Sequence, residues 1–221
     1  MSITKPKLAK EKKSWYPIIA PPMFREMVLG ETPVYDPKEM IGKRVMHNLM
    51  NLTNDVKRQN VNITFEVTDV KDNKGLTSVV AFTMIPSSIK RLVRRRSDRV
   101  DISFACETQD SKIVRIKPLL VTRGNTTSVI LRKLHRLAAD QVLRQVKRLT
   151  YEGLLNDLIT YKFQSELRAR LMKTYPLKSC EIRSLVIADA SENVRKIELA
   201  PEPVKEAEQP APEQQATQES S

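Results

Sequence analysis

Apolar and polar positions alternate along much of the first half of the chain. In NVNITFEVTD, Val61, Ile63, Phe65 and Val67 alternate with Asn62, Thr64, Glu66 and Thr68, the period of two that marks a strand with one buried face. KDNKG then reads as a turn, and LTSVVAFTM resumes the apolar run, which predicts a hairpin. RVDISFACE alternates again, with Val100, Ile102, Phe104 and Cys106 inward. Beyond a turn at TQDSK, IVRIKPLLV holds Val114 and Ile116 in one phase and Leu119 and Val121 in the other. The slip at Lys117-Pro118 predicts a bulge, or a bend at a barrel corner. Several antiparallel strands with a bend predict a curled sheet or barrel over about 43–122.

From 126 the period becomes 3.6. Leu131, Leu134, Ala138, Val142, Val146 and Leu149 share one face, with Arg132, Lys133, Arg136, Arg144, Lys147 and Arg148 on the other. This predicts a helix over about 126–149. Thr150 is placed to cap a second helix, roughly 151–174, whose apolar set includes Leu154, Leu155, Leu158, Leu167 and Leu171. Pro176 stops it, and 180–187 reads as a last strand that rejoins the sheet. At the other end, three prolines in SWYPIIAPPMF suit an extended segment lying on a surface, and LGETPVYDPKEMIG reads as a loop.

The stretch KRLVRRRSDR, residues 90–99, puts six basic side chains into ten positions. Ser87 and Ser88 after Pro86 offer N-cap chemistry. Ile89, Leu92 and Val93 then fall on one arc at 100° per residue, while Lys90, Arg91, Arg94 and Arg95 fall opposite. The expectation is a basic helix of about three turns, with Arg96 near the apolar edge in the last one. Four cations on one side of so short a helix repel each other, and the helix is marginal alone. Their placement makes sense against a polyanion, and five of the six are arginines, whose planar fork suits phosphate.

Composition extends that picture. The 221 residues carry a net charge of +12. The last 24, ELAPEPVKEAEQPAPEQQATQESS, hold six Glu, one Lys and four Pro with almost no periodicity, and read as a disordered acidic tail over 198–221. Without it, residues 1–197 hold 37 basic against 20 acidic residues, a charge of +17. Five lysines in the first thirteen residues make 1–13 a basic arm. The prediction is an α+β fold: a single folded domain over 14–197, with an antiparallel β-barrel-like body, a short basic helix and a pair of longer helices. A charge of this size favours a polyanionic partner. No run approaches a membrane span and the N-terminus lacks a signal-peptide core, so neither a membrane nor an export route is expected. Cys106 and Cys180 have no metal spacing; Cys106 is in phase with core residues, and an intracellular compartment suits such thiols.

Candidate chemistry is sparse. His47 and His135 have no ligand pattern around them, no glycine-rich phosphate loop exists, and no nucleophile–base arrangement presents itself. Asp98 and Asp101 flank the basic run. They suit pairing with nearby arginines better than holding a metal, since no further carboxylate cluster joins them. The expectation is a non-enzyme without cofactor, metal or small-molecule substrate.

SWYPIIAPPMF, LGETP, IKRLVRRRSDRVD and YPLKSCEIRSLVI resemble the archaeal branch of a small-subunit ribosomal protein family, the one called S-one-e or S-three-a-e. The resemblance runs over about 14–188. It implies a cytoplasmic structural protein of the small subunit. Its expected partners are small-subunit ribosomal RNA, neighbouring platform proteins and mRNA near the exit region. One departure stands out: where relatives carry an acidic residue after a Gly-Arg-Val-like segment, this chain has His47 and Asn48. The residues expected to meet RNA are Lys12, Lys13, Trp15 and Tyr16, then Lys90, Arg91, Arg94, Arg95, Arg96 and Arg99. Arg123, Arg132, Arg136, Lys147 and Arg148 on and before the long helix join them, with Lys178 and Arg183 around the last strand. Two other readings stay open: an RNA-processing nuclease using Asp98 and Asp101 with a divalent metal, and a free RNA chaperone.

Overall fold

A computed structural model describes residues 12–188, which form nine strands and five α-helices. The arm up to residue 11 and the acidic tail expected over 198–221 lie outside the described residues. The first departure from the expected layout is at the N-terminus. SWYPII is a strand, β1 (Ser14–Ile19), and the supposed loop contains its antiparallel partner, β2 (Val28–Val34). The prolines are compatible with this. β2 is an edge, and β1 has a second neighbour only at Ile18 and Ile19, so Pro17 and Pro33 interrupt few ladder bonds.

β3 (Arg44–Asn48) leads through α1 (Leu49–Thr53) to the expected hairpin of β4 (Val61–Lys71) and β5 (Lys74–Met84). Asp72 and Asn73 occupy the turn with φ of 49° and 60°, the left-handed pair that matches the strand twist. Val61, Ile63, Phe65 and Val67 are buried, as their alternation predicts. After α2 (Pro86–Leu92) come β6 (Arg99–Asp101), β7 (Phe104–Glu107) and β8 (Ile113–Thr122). Val100, Ile102, Phe104 and Cys106 are all buried. Three helices follow, α3 (Ser128–Arg148), α4 (Tyr151–Thr160) and α5 (Lys162–Met172), before β9 (Leu177–Ile187) returns between β5 and β8.

The sheet runs β2-β1-β5-β9-β8-β6, with β4 and then β3 branching from β5, and β7 from β8. Among the described residues this path is open. The expected barrel-like body is thus a mixed α+β unit around an open sheet, antiparallel except for a short β1–β5 contact.

α3 packs over β6 and β7, and α5 over β9. α3 buries Leu134, Ala138, Val142 and Val146 completely, the face its period marked. The single helix expected over 151–174 is two. Thr150 caps α4 by accepting from the Gly153 amide at 3.2 Å, but Tyr161, at φ 69°, ends it. The break has a cause in the spacing. Leu158 and Leu167 are nine residues apart, so one straight helix would place them on opposite sides. The turn at Tyr161 brings both into the core, where they are 1% and 0% exposed.

The irregularity expected at Lys117-Pro118 is there, but β8 does not change phase. Leu120 continues the core face of Val114 and Ile116, while Leu119 and Val121 pack with Met84 and Ile89 in a second small cluster. Both faces of β8 are covered at this point. The extra residue is on β9, where Lys117 pairs with Ser184, Pro118 pairs with Ile182, and Arg183 is passed over.

Candidate nucleic-acid interface

The basic run folds differently from the expected helix. α2 begins with Ile85 at the N-cap and Pro86 in its first turn; Ser88 donates to the Asn60 side chain at 2.9 Å instead of capping. The helix stops at Leu92, and Val93 is extended at φ −84°, ψ 117°. Arg94, Arg95 and Arg96 therefore stand on a loop, with Arg96 in the left-handed region at φ 65°. Continuing the helix would have stacked Lys90 on Arg94 and Arg91 on Arg95, like charges one turn apart. Lys90 and Arg91 remain on α2, exposed, and Ile89 is buried beneath them as expected.

Two carboxylates shape this loop. Asp101 pairs with Arg99, as the sequence suggested. Among the described residues Asp98 does not pair with an arginine. Its carboxylate accepts from the Thr126 amide at 2.6 Å and the Thr126 hydroxyl at 3.2 Å, tying the loop to the approach of α3. The buried Thr122 hydroxyl adds a bond from the Asp98 amide at 2.8 Å.

Neighbouring strands bring further cations to the same end of the sheet. Arg99 lies opposite Val121, and Val121 opposite Ser179. Arg123 follows directly, its amide bonded to the Pro176 carbonyl at 3.1 Å. Lys178 is the second residue that β9 passes over, because Val121 pairs with Ser179 and Thr122 with Leu177. A bulge re-aims the side chain it carries; here the Lys178 ammonium reaches the Leu92 carbonyl at the end of α2, at 3.3 Å. Arg91, Arg94, Arg95, Arg96, Arg99, Arg123 and Lys178 thus share one region. Of these, Arg91, Arg94, Arg95 and Arg96 form no ion pair among the described residues.

The other expected contacts are not brought here together. Arg132 and Arg136 are exposed near the start of α3, whereas Lys147 and Arg148 lie up to about 24 Å further along it. They sit by the turn where the Gln109 amide meets the Leu149 carbonyl. Arg183 stands at the other bulge of β9, opposite Lys117-Pro118, and is exposed. β1 meets β5 at Gly75 and Leu76, about 30 Å along the strand from Met84, which leads into α2. Trp15 and Tyr16, both expected to meet RNA, are placed differently. Tyr16 packs against the core, and Trp15 is 65% exposed. Lys12 is exposed, and the Lys13 ammonium lies 5.2 Å from the centre of the Tyr35 ring.

His135 is half-buried on α3 and His47 half-buried on β3. Asn48 caps α1, accepting from the Met50 amide at 2.9 Å while its own amide donates to the Gln59 carbonyl at 2.8 Å. A carboxylate could make the first of these bonds but not the second. Both cysteines are free and buried, and burial pushes each thiol up to about 12. Among the described residues no three His, Cys, Asp or Glu side chains gather in a metal-holding group, and no helix is long and apolar enough to cross a membrane.

The family model described as the Ribosomal S3Ae family matches residues 5–190. The chain belongs to that family. It is similar to proteins named small ribosomal subunit protein eS1 from three archaea. The Nanoarchaeum equitans protein is 30% identical, over 85% of this chain and 95% of the relative. That of Staphylothermus marinus is 29% identical, over 77% and 80%. That of Saccharolobus islandicus is 28% identical, over 83% and 88%.

Proposed function

We infer that this chain is a structural protein of the small ribosomal subunit in the cytoplasm and has no catalytic role. The family match over 5–190 carries this reading. We further propose that it binds small-subunit ribosomal RNA on the platform near the mRNA exit region, among platform proteins, through the basic end around Arg91–Arg99. The proposed unit is a folded domain over 14–197 between a basic arm over 1–13 and an acidic tail over 198–221.

Support for the RNA contact comes from the arginines on an exposed loop that form no ion pair among the described residues. Arginines standing clear of carboxylates are available to phosphate oxygens, which position a protein on folded RNA without reading its sequence. Trp15 adds an exposed ring able to stack on an unpaired base. Nothing specific favours a nuclease: Asp98 is engaged by Thr126, and Asp101 by Arg99.

The deciding experiment is sedimentation of small subunits in high salt, followed by protein–RNA crosslinking within them. The protein is expected to remain with the subunit and to crosslink through 91–99 to platform nucleotides near the mRNA exit region. Release by salt with no discrete crosslink would instead identify a free RNA chaperone.

A further inference from the structure

Next to the basic loop, the middle of β9 and the surrounding helices line a cavity of about 250 Å³. That is below the roughly 300–1,000 Å³ of clefts for drug-sized ligands, and suits a single planar group. Its wall includes Arg58, Asn60, Arg91, Tyr161, Gln164 and Glu181, brought from separate stretches of the chain.

One of these groups lacks a partner, and a second is a carboxylate held among apolar neighbours. Gln164 is 3% exposed; its amide nitrogen donates to the Leu158 carbonyl at 3.2 Å, and its Oε1 has no partner. Buried polar atoms are nearly always paired, so an orphan acceptor in a cavity wall points to an occupant that donates. Glu181 accepts from the Tyr161 hydroxyl at 2.6 Å. Burial still pushes its carboxyl above the ordinary carboxylate value, against the pull of Tyr161, Arg58 and Arg168. The Tyr161 ring is held by the left-handed turn between α4 and α5, and the Arg58 guanidinium lies 5.4 Å from its centre.

The wall thus offers acceptors at Gln164 and Glu181 and positive charge at Arg58 and Arg91. A lysine or arginine from a neighbouring protein would satisfy the acceptors but meet those cations. A nucleotide satisfies both, with N–H donors on its base and charge on its phosphate. Among the bases, guanine carries two adjacent donors, N1–H and N2–H, on its Watson–Crick edge, the edge by which proteins read unpaired RNA. Resting on the RNA-binding reading above, we propose that this cavity takes one unpaired guanine of the bound RNA. Its N1–H and N2–H point to Glu181 and Gln164, and its phosphate lies against Arg91 and Arg58.

The test uses the full-length protein and the pentaribonucleotide UUGUU, with guanine replaced by adenine or by hypoxanthine, which lacks the 2-amino group. Fluorescence anisotropy should show binding to UUGUU at least about tenfold tighter than to UUAUU, as loss of the donor pair implies, with the hypoxanthine oligomer between them. Glu181→Gln should erase the preference and retain the weaker, salt-sensitive binding. The three oligomers on the unaltered protein decide the question even if that variant folds poorly. Equal affinity for all three overturns the proposal, as does a preference that survives in folded Glu181→Gln. A protein that binds subunit RNA normally but ignores guanine defeats the cavity alone; one that binds no RNA defeats the broader reading.

Discussion

The loop over 93–98 and the outer face of α3 carry similar charge on opposite kinds of support. α3 holds Arg132, Arg136 and Lys147 on a rigid cylinder, because Leu134, Ala138, Val142 and Val146 are fully buried beneath it. Its cations are as well placed as its packing. Arg94, Arg95 and Arg96 have no such floor. Their loop is pinned at its ends, by Lys178 on the Leu92 carbonyl and by Asp98 on Thr126, and turns through a left-handed arginine between them. Charge on α3 is a consequence of folding, whereas charge on the loop is held by a few polar bonds and is free to conform to a partner.

The largest expected effect falls on the packed side. Leu134→Ala should cost about 2–5 kcal/mol in denaturant-monitored stability, because the side chain is wholly buried. RNA binding by the fraction that remains folded should keep its salt dependence. A variant that lost RNA binding without losing stability would show that α3 is not the rigid element described.

Next comes the double reversal Arg94→Glu with Arg95→Glu. Both side chains are exposed, so the melting temperature should change little. RNA affinity should fall, and the slope of log K against log salt should become shallower by about 0.7–0.9 for each phosphate no longer neutralised. Arg132→Glu with Arg136→Glu should alter the slope less, since the proposed RNA contact is centred on the loop. Equal slopes for the two pairs would erase the distinction between loop and helix.

Asp98→Ala removes no positive charge but releases one end of the loop. The Thr126 amide loses its acceptor, and stability should drop by about 1–3 kcal/mol. RNA affinity should weaken with little change in salt slope, because the same phosphates are met from a less ordered loop. A steeper slope would mean that Asp98 had been shielding an arginine.

Arg96→Gly should be the smallest change. Replacing a side chain in the left-handed region relieves roughly 1–2 kcal/mol of backbone strain, while glycine's added unfolded freedom takes back about 0.5–1 kcal/mol. Calorimetry should find the melting point nearly unchanged, with the salt slope reduced by at most the share of a single phosphate. A large destabilisation would show Arg96 to be a structural anchor.

Legibility in the sequence followed the reach of each signal. The β4–β5 hairpin and the buried face of α3 were readable because period-two and period-3.6 patterns need only neighbouring residues. The interruption at Tyr161 was also encoded, as a half-turn mismatch between Leu158 and Leu167 that the leucine count alone concealed. The ladder of β1 and β2 was obscured by prolines, which an edge strand tolerates and a central strand does not. The basic run suggested a longer helix because its three apolar residues fit one arc. Repulsion among the cations outweighed that weak preference after Leu92.

By itself, then, the sequence determined the strands of the hairpin, the long helix, the excess of positive charge and the family to which the chain belongs. These depend on local periodicity, composition and motif, each carried within short stretches. Only the tertiary structure decided that Lys178 and Arg183 stand on bulges of β9, and that Asp98 serves Thr126 and not an arginine. It alone brought Arg58, Arg91, Tyr161, Gln164 and Glu181 around one cavity. Register and the packing of helices on the sheet depend on contacts between distant stretches, and no periodicity within a single stretch records which distant residue it will meet.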